Sequence, residues 1–203
     1  MQMTDAGHAP IEAPRPWDRQ AVLIVLLCFV LNMVDGMDIL ILSYIAPALQ
    51  SEWGVDTGQL GIVFSSGLAG MALGGIGLAP LADRVGRRRM IAVAMAMMAL
   101  GMVASSFAHS VTQLALIRLV VGTGIGTVLA CIAAVAARVA PPQHRNFAVG
   151  ILQGGYPIGA MITGFVTAWA LPLFGWRHMM MGAAVVSALC VPLVLAIIPA
   201  HLE

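Results

Sequence analysis

Two carboxylates, Asp35 and Asp38, stand inside an apolar run, Ala21–Leu49, that otherwise reads as a membrane span. A charge at the middle of a bilayer costs roughly 2.5–3.5 kcal/mol on insertion scales, so such residues face a cavity, a partner or a proton path. Spaced i, i+3, the two acids lie about 60° apart around a helix, on one broad face. Asn32 extends that face by one more step of three. One buried acid would suffice to pin a helix to its neighbour; two point beyond packing to proton or ion handling. Arg118 is the single basic residue well inside a span. Arginine stays protonated, so it requires a carboxylate, a carbonyl or an anionic ligand, unless it snorkels to the outer end of its helix. Asp35 and Asp38 are the only carboxylates inside any span. Arg118, Gly122 and Gly126 share one helical face, so the arginine heads a groove of small residues.

The elements that must carry these residues are membrane helices. The 203 residues are 60% hydrophobic and 9% charged, with mean hydropathy +0.95, against about 25% charged in a soluble domain. Six apolar segments follow one another: Ala21–Leu49, Leu60–Leu81, Met90–Ala108, Gln113–Ala137, Phe147–Leu171 and Met179–Pro199. Each is near or above the roughly 20 residues that span a bilayer, and none alternates with the period of two that a β-barrel needs. The expected fold class is therefore all-α, a six-helix transmembrane bundle over residues 21–199. Residues 1–20, with Pro10, Pro14 and Pro16, read as a disordered cytoplasmic tail without a cleavable signal, and 200–203 as the start of a cytoplasmic segment. Gly70/Gly74, Gly150/Gly154 and Gly155/Gly159 are i, i+4 pairs expected to let helices approach closely. Cys28, Cys131 and Cys190 read as small buried hydrophobes, not as a disulfide set or metal site.

Loop arginines orient the bundle. Arg15 and Arg19 precede the first span; Arg84, Arg87, Arg88 and Arg89 join the second to the third; Arg138 and Arg145 join the fourth to the fifth. The opposite loops carry only Arg177. The positive-inside rule then puts both termini in the cytoplasm. Trp17, Trp53, Trp169 and Trp176 all fall at predicted span ends, as in an interfacial belt.

The second connection reads Pro80-Leu81-Ala82-Asp83-Arg84-Val85-Gly86-Arg87-Arg88-Arg89. Gly86 permits a tight turn, Asp83 can pair with arginine, and the arginines suit an anionic inner leaflet. The run resembles the cytoplasmic signature between helices two and three of the major facilitator superfamily, G-x-L-A-D-R-x-G-R-R, with Ala79 in place of the first glycine. Arg118-Leu119-Val120-Val121-Gly122-Thr123-Gly124-Ile125-Gly126 resembles a second signature, R-x-x-x-G-x-G-x-G; it lacks the spacing and the preceding strand of a dinucleotide fingerprint. Asp35-Gly36-Met37-Asp38, with Tyr44–Leu49 and Glu52-Trp53-Gly54, resembles the aromatic acid:proton symporters of that superfamily, which carry an Asp-Gly-x-Asp signature in helix one.

The resemblance implies the N-terminal half of a major facilitator fold, with two inverted three-helix repeats at about 21–108 and 113–199. It implies a bacterial inner-membrane location, Asp83, Arg84, Gly86, Arg87 and Arg88 as a cytoplasmic gate latch, and Asp35, Asp38 and Arg118 as the proton-coupling and substrate residues. Asn32, and Gln153 and Tyr156 in a glycine-rich fifth span, are candidate cavity-lining groups, with core packing as the alternative. The partners are then an aromatic acid of benzoate or hydroxybenzoate type, a proton and the lipid bilayer. Because full family members have twelve spans, a homodimer, a separate C-terminal half, a truncated fragment or a carrier for another organic anion stay open. Nothing points to a cofactor, a metal, a nucleic acid or an enzyme: no serine has a Gly-x-Ser-x-Gly setting, and no two histidines have metal spacing.

Overall fold

The computed structural model describes residues 17–200, and every regular element in that range is helical. The expected tail falls mostly at 1–16, and with 201–203 it lies outside the described residues. Helix α1, Arg19–Trp53, is ended by Gly54 at φ 63°, whose N–H reaches the Gln50 carbonyl at 2.9 Å. A left-handed residue there suits glycine. Helix α2, Thr57–Leu73, starts in a reciprocal cap: Asp56 accepts from the Gln59 N–H at 2.7 Å, and the Gln59 side chain accepts from the Asp56 N–H at 3.1 Å. Its last turns widen into a π-helical segment, Gly74–Leu78. A four-residue helix α3, Ala82–Val85, turns at Gly86 (φ 100°, ψ 129°) into α4, Arg87–Ser106. Ser110 caps α5, Val111–Val139, by accepting from the Gln113 N–H at 3.2 Å.

The predicted connection Pro172–His178 is tight, with its break at Gly175. Helical backbone, α6, runs Arg145–Ile197 and is broken at Gly175 (φ 76°, ψ 167°). Ile162, Thr163 and Val166 line one cavity with Gly182, Ala183, Val186 and α1, so the chain folds back at Gly175 into two arms, 145–174 and 176–197. A residue without Cβ supplies the positive φ that this break needs. The count of six spans holds with a shorter fifth connection.

Glycine seams position the charged helices. A Cβ added to Gly155 or Gly159 would strike the α1 backbone at Phe29 or Met33, and one added to Gly36 would strike the Tyr156 carbonyl. The first arm of α6 is thus locked against the stretch of α1 that holds Asn32 and Asp35. A second seam joins α2 to α5, where Gly70 and Gly74 meet Leu119 and Thr123, and Gly122 and Gly126 meet Gly67 and Met71. The third expected pair behaves differently: Gly150 has open space, and Gly154 touches only the Phe29 ring at 4.0 Å. Helix α4 packs on α5 and α6, and its Ile91, Met95, Met98 and Met102 are fully buried. Outside, Ile76, Leu100, Phe165 and Trp169 are exposed. That surface suits lipid or another apolar partner, not water, and the chain is a multi-pass membrane protein.

Candidate functional site

Asn32, Asp35 and Asp38 are wholly buried, and Arg118 is 4% exposed. Packing separates the two acids into different surroundings. Asn32 and Asp35 turn toward the first arm of α6. Asn32 Nδ2 donates to the Leu152 carbonyl at 2.7 Å and to Gln153 Oε1 at 3.3 Å. Both Asp35 carboxyl oxygens, and Asn32 Oδ1, lack a hydrogen-bond partner. Tyr156, half-buried, lies within electrostatic reach of Asp35. Gln153 is exposed on the same arm. The i, i+3 face read from sequence therefore exists, and its upper half meets a different helix from its lower half.

Asp38 turns toward α5 and the second arm of α6. Ser187 Oγ donates to Asp38 Oδ2 at 3.2 Å, and Asp38 Oδ1 is left unpartnered. Arg118 reaches across from α5. Its Nη1 donates to the main-chain carbonyl of Asp38 at 3.1 Å, and its Nη2 lies 3.1 Å from the Met180 sulfur. Nε has no partner. Of the three options open to a buried arginine, the structure takes the carbonyl; neither carboxylate accepts from it. Asp38 and Arg118 border a cavity of about 160 Å³ between α1, α2 and α5, with Phe64, Met71 and Gly122 among its walls. A larger cavity of about 410 Å³ between α1 and both arms of α6 is almost wholly apolar. Its Thr163 hydroxyl is already bonded to the Gly159 carbonyl at 2.8 Å. The polar chemistry thus belongs to the smaller space.

Ser187 and Met180 were not found from sequence. Ser187 is the one hydroxyl between Met179 and Pro199, and that isolation is the signal that marks it. Two turns of helix separate it from Met180, so both lie on one face of the arm.

At the arginine-rich end, Arg87 Nη2 and Nε both point at Asp83 Oδ1, at 2.9 and 3.2 Å. Arg88 donates to the Leu195 carbonyl, tying the turn to the end of α6. Asp83 sits in α3, past the end of α2, and Arg84 is exposed beside it. At the opposite end, Glu52 accepts from the Trp176 indole and from Arg177, each at 2.6 Å. Arg177 also lies 4.4 Å from the Trp176 ring centroid. The one arginine on the arginine-poor side is therefore neutralised in place. Trp176 is 3% exposed and packs edge-on to Trp53 at 5.5 Å. It is a packed core residue, and of the four tryptophans Trp169 is the one that faces outward.

The Major Facilitator Superfamily model matches residues 28–202. The chain is 35% identical over 175 residues to the 4-hydroxybenzoate transporter PcaK of Pseudomonas aeruginosa, covering 86% of this chain and 38% of that one. It is 30% identical over 199 residues to the gallate transporter of Pseudomonas putida, covering 94% and 44%. The chain thus spans less than half the length of these curated relatives. Among solved structures, the proton:xylose symporter XylE bound to 6-bromo-6-deoxy-D-glucose superposes with a TM-score of 0.80 at 20% identity, over 89% of this chain and 45% of that one. That likeness carries the fold alone.

Proposed function

The chain belongs to the Major Facilitator Superfamily, and from that premise we propose that it is one half of a carrier coupling an aromatic carboxylic acid to a proton. The observation that carries this reading is the buried trio of Asp35, Asp38 and Arg118. It leaves both Asp35 oxygens, one Asp38 oxygen and Arg118 Nε without partners in the middle of a membrane bundle. Orphaned polar atoms at such depth are costly unless a ligand or proton uses them. A substrate carboxylate is attracted by the Arg118 guanidinium and repelled by ionised aspartates. Protonating an aspartate removes the repulsion, so anion and proton favour each other's binding, and linkage makes the coupling reciprocal. The transporters named for 4-hydroxybenzoate and gallate, at 35% and 30% identity, favour an aromatic acid as the anion.

Alternating access in this superfamily rocks two six-helix halves about a central site. The proposed repeats, 21–108 and 113–199, make α1 and α5 counterparts. The paired glycine seams support that: α1 against the first arm of α6 is answered by α5 against α2. Asp83 and Arg87, closed by an ion pair beyond the Gly86 turn, are the latch proposed for the cytoplasmic gate. Because the chain covers less than half of its relatives' length, the working carrier is proposed to need a second six-helix half beside this one.

The test is uptake of radiolabelled 4-hydroxybenzoate by cells expressing this chain, alone and with a supplied C-terminal half, with and without an uncoupler. Uncoupler-sensitive accumulation supports the reading. No accumulation in either setting, with the protein verified in the membrane, overturns it.

A further inference from the structure

Arg118 stands against the main chain of Asp38 but not against its carboxylate. Opposite charges attract across that gap, and both groups are buried, where an ion pair is screened least. The guanidinium bonds the carbonyl of Asp38 and makes no hydrogen bond to the carboxylate of the same residue. Something must hold the two apart. The second arm of α6 supplies it from one face. Ser187 Oγ donates to Asp38 Oδ2 at 3.2 Å, and seven residues earlier the Met180 sulfur lies 3.1 Å from Arg118 Nη2. Ser187 and Met180 are both fully buried. Other charged or polar groups near the acid are Asp35 on its own helix, Ser43 on the wall of the shared cavity and Cys190 on the same arm as Ser187. Ser187 is the hydrogen-bond donor that the Asp38 carboxylate has among the described residues.

We propose that Ser187 is a positioning residue: its hydroxyl holds the Asp38 carboxylate off Arg118 and so keeps the guanidinium open to an incoming organic anion. Met180 is the soft rest for the unused Nη2. Thioether sulfur accepts only weakly, so an anion displaces it at little cost, where a carboxylate in its place would compete. The consequence for an anion rests on the carrier reading above; the positioning of Asp38 does not.

Two measurements on the purified full chain separate these claims. The first is infrared difference spectroscopy of the carboxyl region, with the Asp38 band identified as the one lost in Asp38→Asn. Ser187→Ala is expected to move that band and Ser187→Thr to keep it, because threonine restores the hydroxyl. A band unmoved in Ser187→Ala overturns the positioning role whatever the chain transports. The second is calorimetric titration with 4-hydroxybenzoate. Ser187→Ala is expected to weaken binding by about tenfold, the scale of one hydrogen bond to a charged group, with Ser187→Thr restoring it. If the band moves and the affinity does not, Ser187 positions Asp38 without serving the anion, and the proposal fails in its second half. If the unsubstituted chain binds no 4-hydroxybenzoate, alone or with a supplied C-terminal half, while the band moves, the carrier reading fails and the positioning stands.

Discussion

Gly159→Ala places one methyl group where the structure has no room for it. The new Cβ would lie 2.6 Å from the Met33 carbonyl carbon and 2.7 Å from its Cα, closer still to the carbonyl oxygen. Carbon atoms rest at about 3.5–4.0 Å, so the first arm of α6 must retreat from α1 by roughly 1 Å. The obstacle is backbone, which cannot rotate aside as a side chain does. Asn32 Nδ2, now 2.7 Å from the Leu152 carbonyl, would then lie beyond hydrogen-bonding distance, and Asp35 would shift with it. Gly150→Ala is the control. It lies on the same arm with nothing near its Cβ, so both variants gain the same alanine helix propensity, about 1 kcal/mol. The difference between them isolates the clash. Overpacking a tight contact costs about 1–3 kcal/mol, which for a chain of this size is about 2–12 °C in apparent Tm. Thermal unfolding of the two purified variants in mild detergent reads this directly. Equal transitions for Gly159→Ala and Gly150→Ala would refute the seam as what fixes Asn32 and Asp35.

Asp35→Asn replaces a buried carboxyl that has no hydrogen-bond partner. It is expected to keep or raise the apparent Tm while abolishing uncoupler-sensitive accumulation beside a supplied second half; normal accumulation would sink its proton role. Gly86→Ala forces a φ of 100° on a residue with a Cβ, at about 1–3 kcal/mol. A lowered apparent Tm is expected, and an unchanged one would show that the turn tolerates another conformation. Glu52→Ala strips the acceptor from the buried Trp176 indole, a loss of about 1–3 kcal/mol. Glu52→Gln keeps an acceptor and gives up chiefly the exposed Arg177 pair, worth about 0–1 kcal/mol. Thermal melts should therefore rank alanine well below glutamine, and equal losses would count against the indole contact.

Reading the sequence recovered what depends on local chemistry. Six spans followed from apolar length, the turn at Gly86 from its residue type, and the burial of Asp35, Asp38 and Arg118 from their place within those spans. What it missed depends on which helix meets which. Asp35 and Asp38 share a helical face, yet one meets the first arm of α6 and the other the second, because the chain reverses at Gly175. Pro172 and the charged Arg177 marked that region as a loop, while a single positive φ was enough to break the helix. Ser187 and Met180 carry no motif; their role arises only when the second arm is laid beside α1 and α5. Gly150 and Gly154 have the same spacing as Gly155 and Gly159 but do not meet the α1 backbone. A small-residue pair becomes a seam only where the partner helix is present, and spacing alone cannot supply that.

The central claim is that the buried acids and Arg118 take up a proton and an organic anion together. The most direct measurement is of proton uptake when 4-hydroxybenzoate is added to the purified chain in weakly buffered detergent solution, read with a pH indicator. A rise in pH that saturates with binding and disappears in Asp35→Asn is the predicted result. Binding with no proton uptake, or uptake unchanged in Asp35→Asn and Asp38→Asn alike, would contradict it.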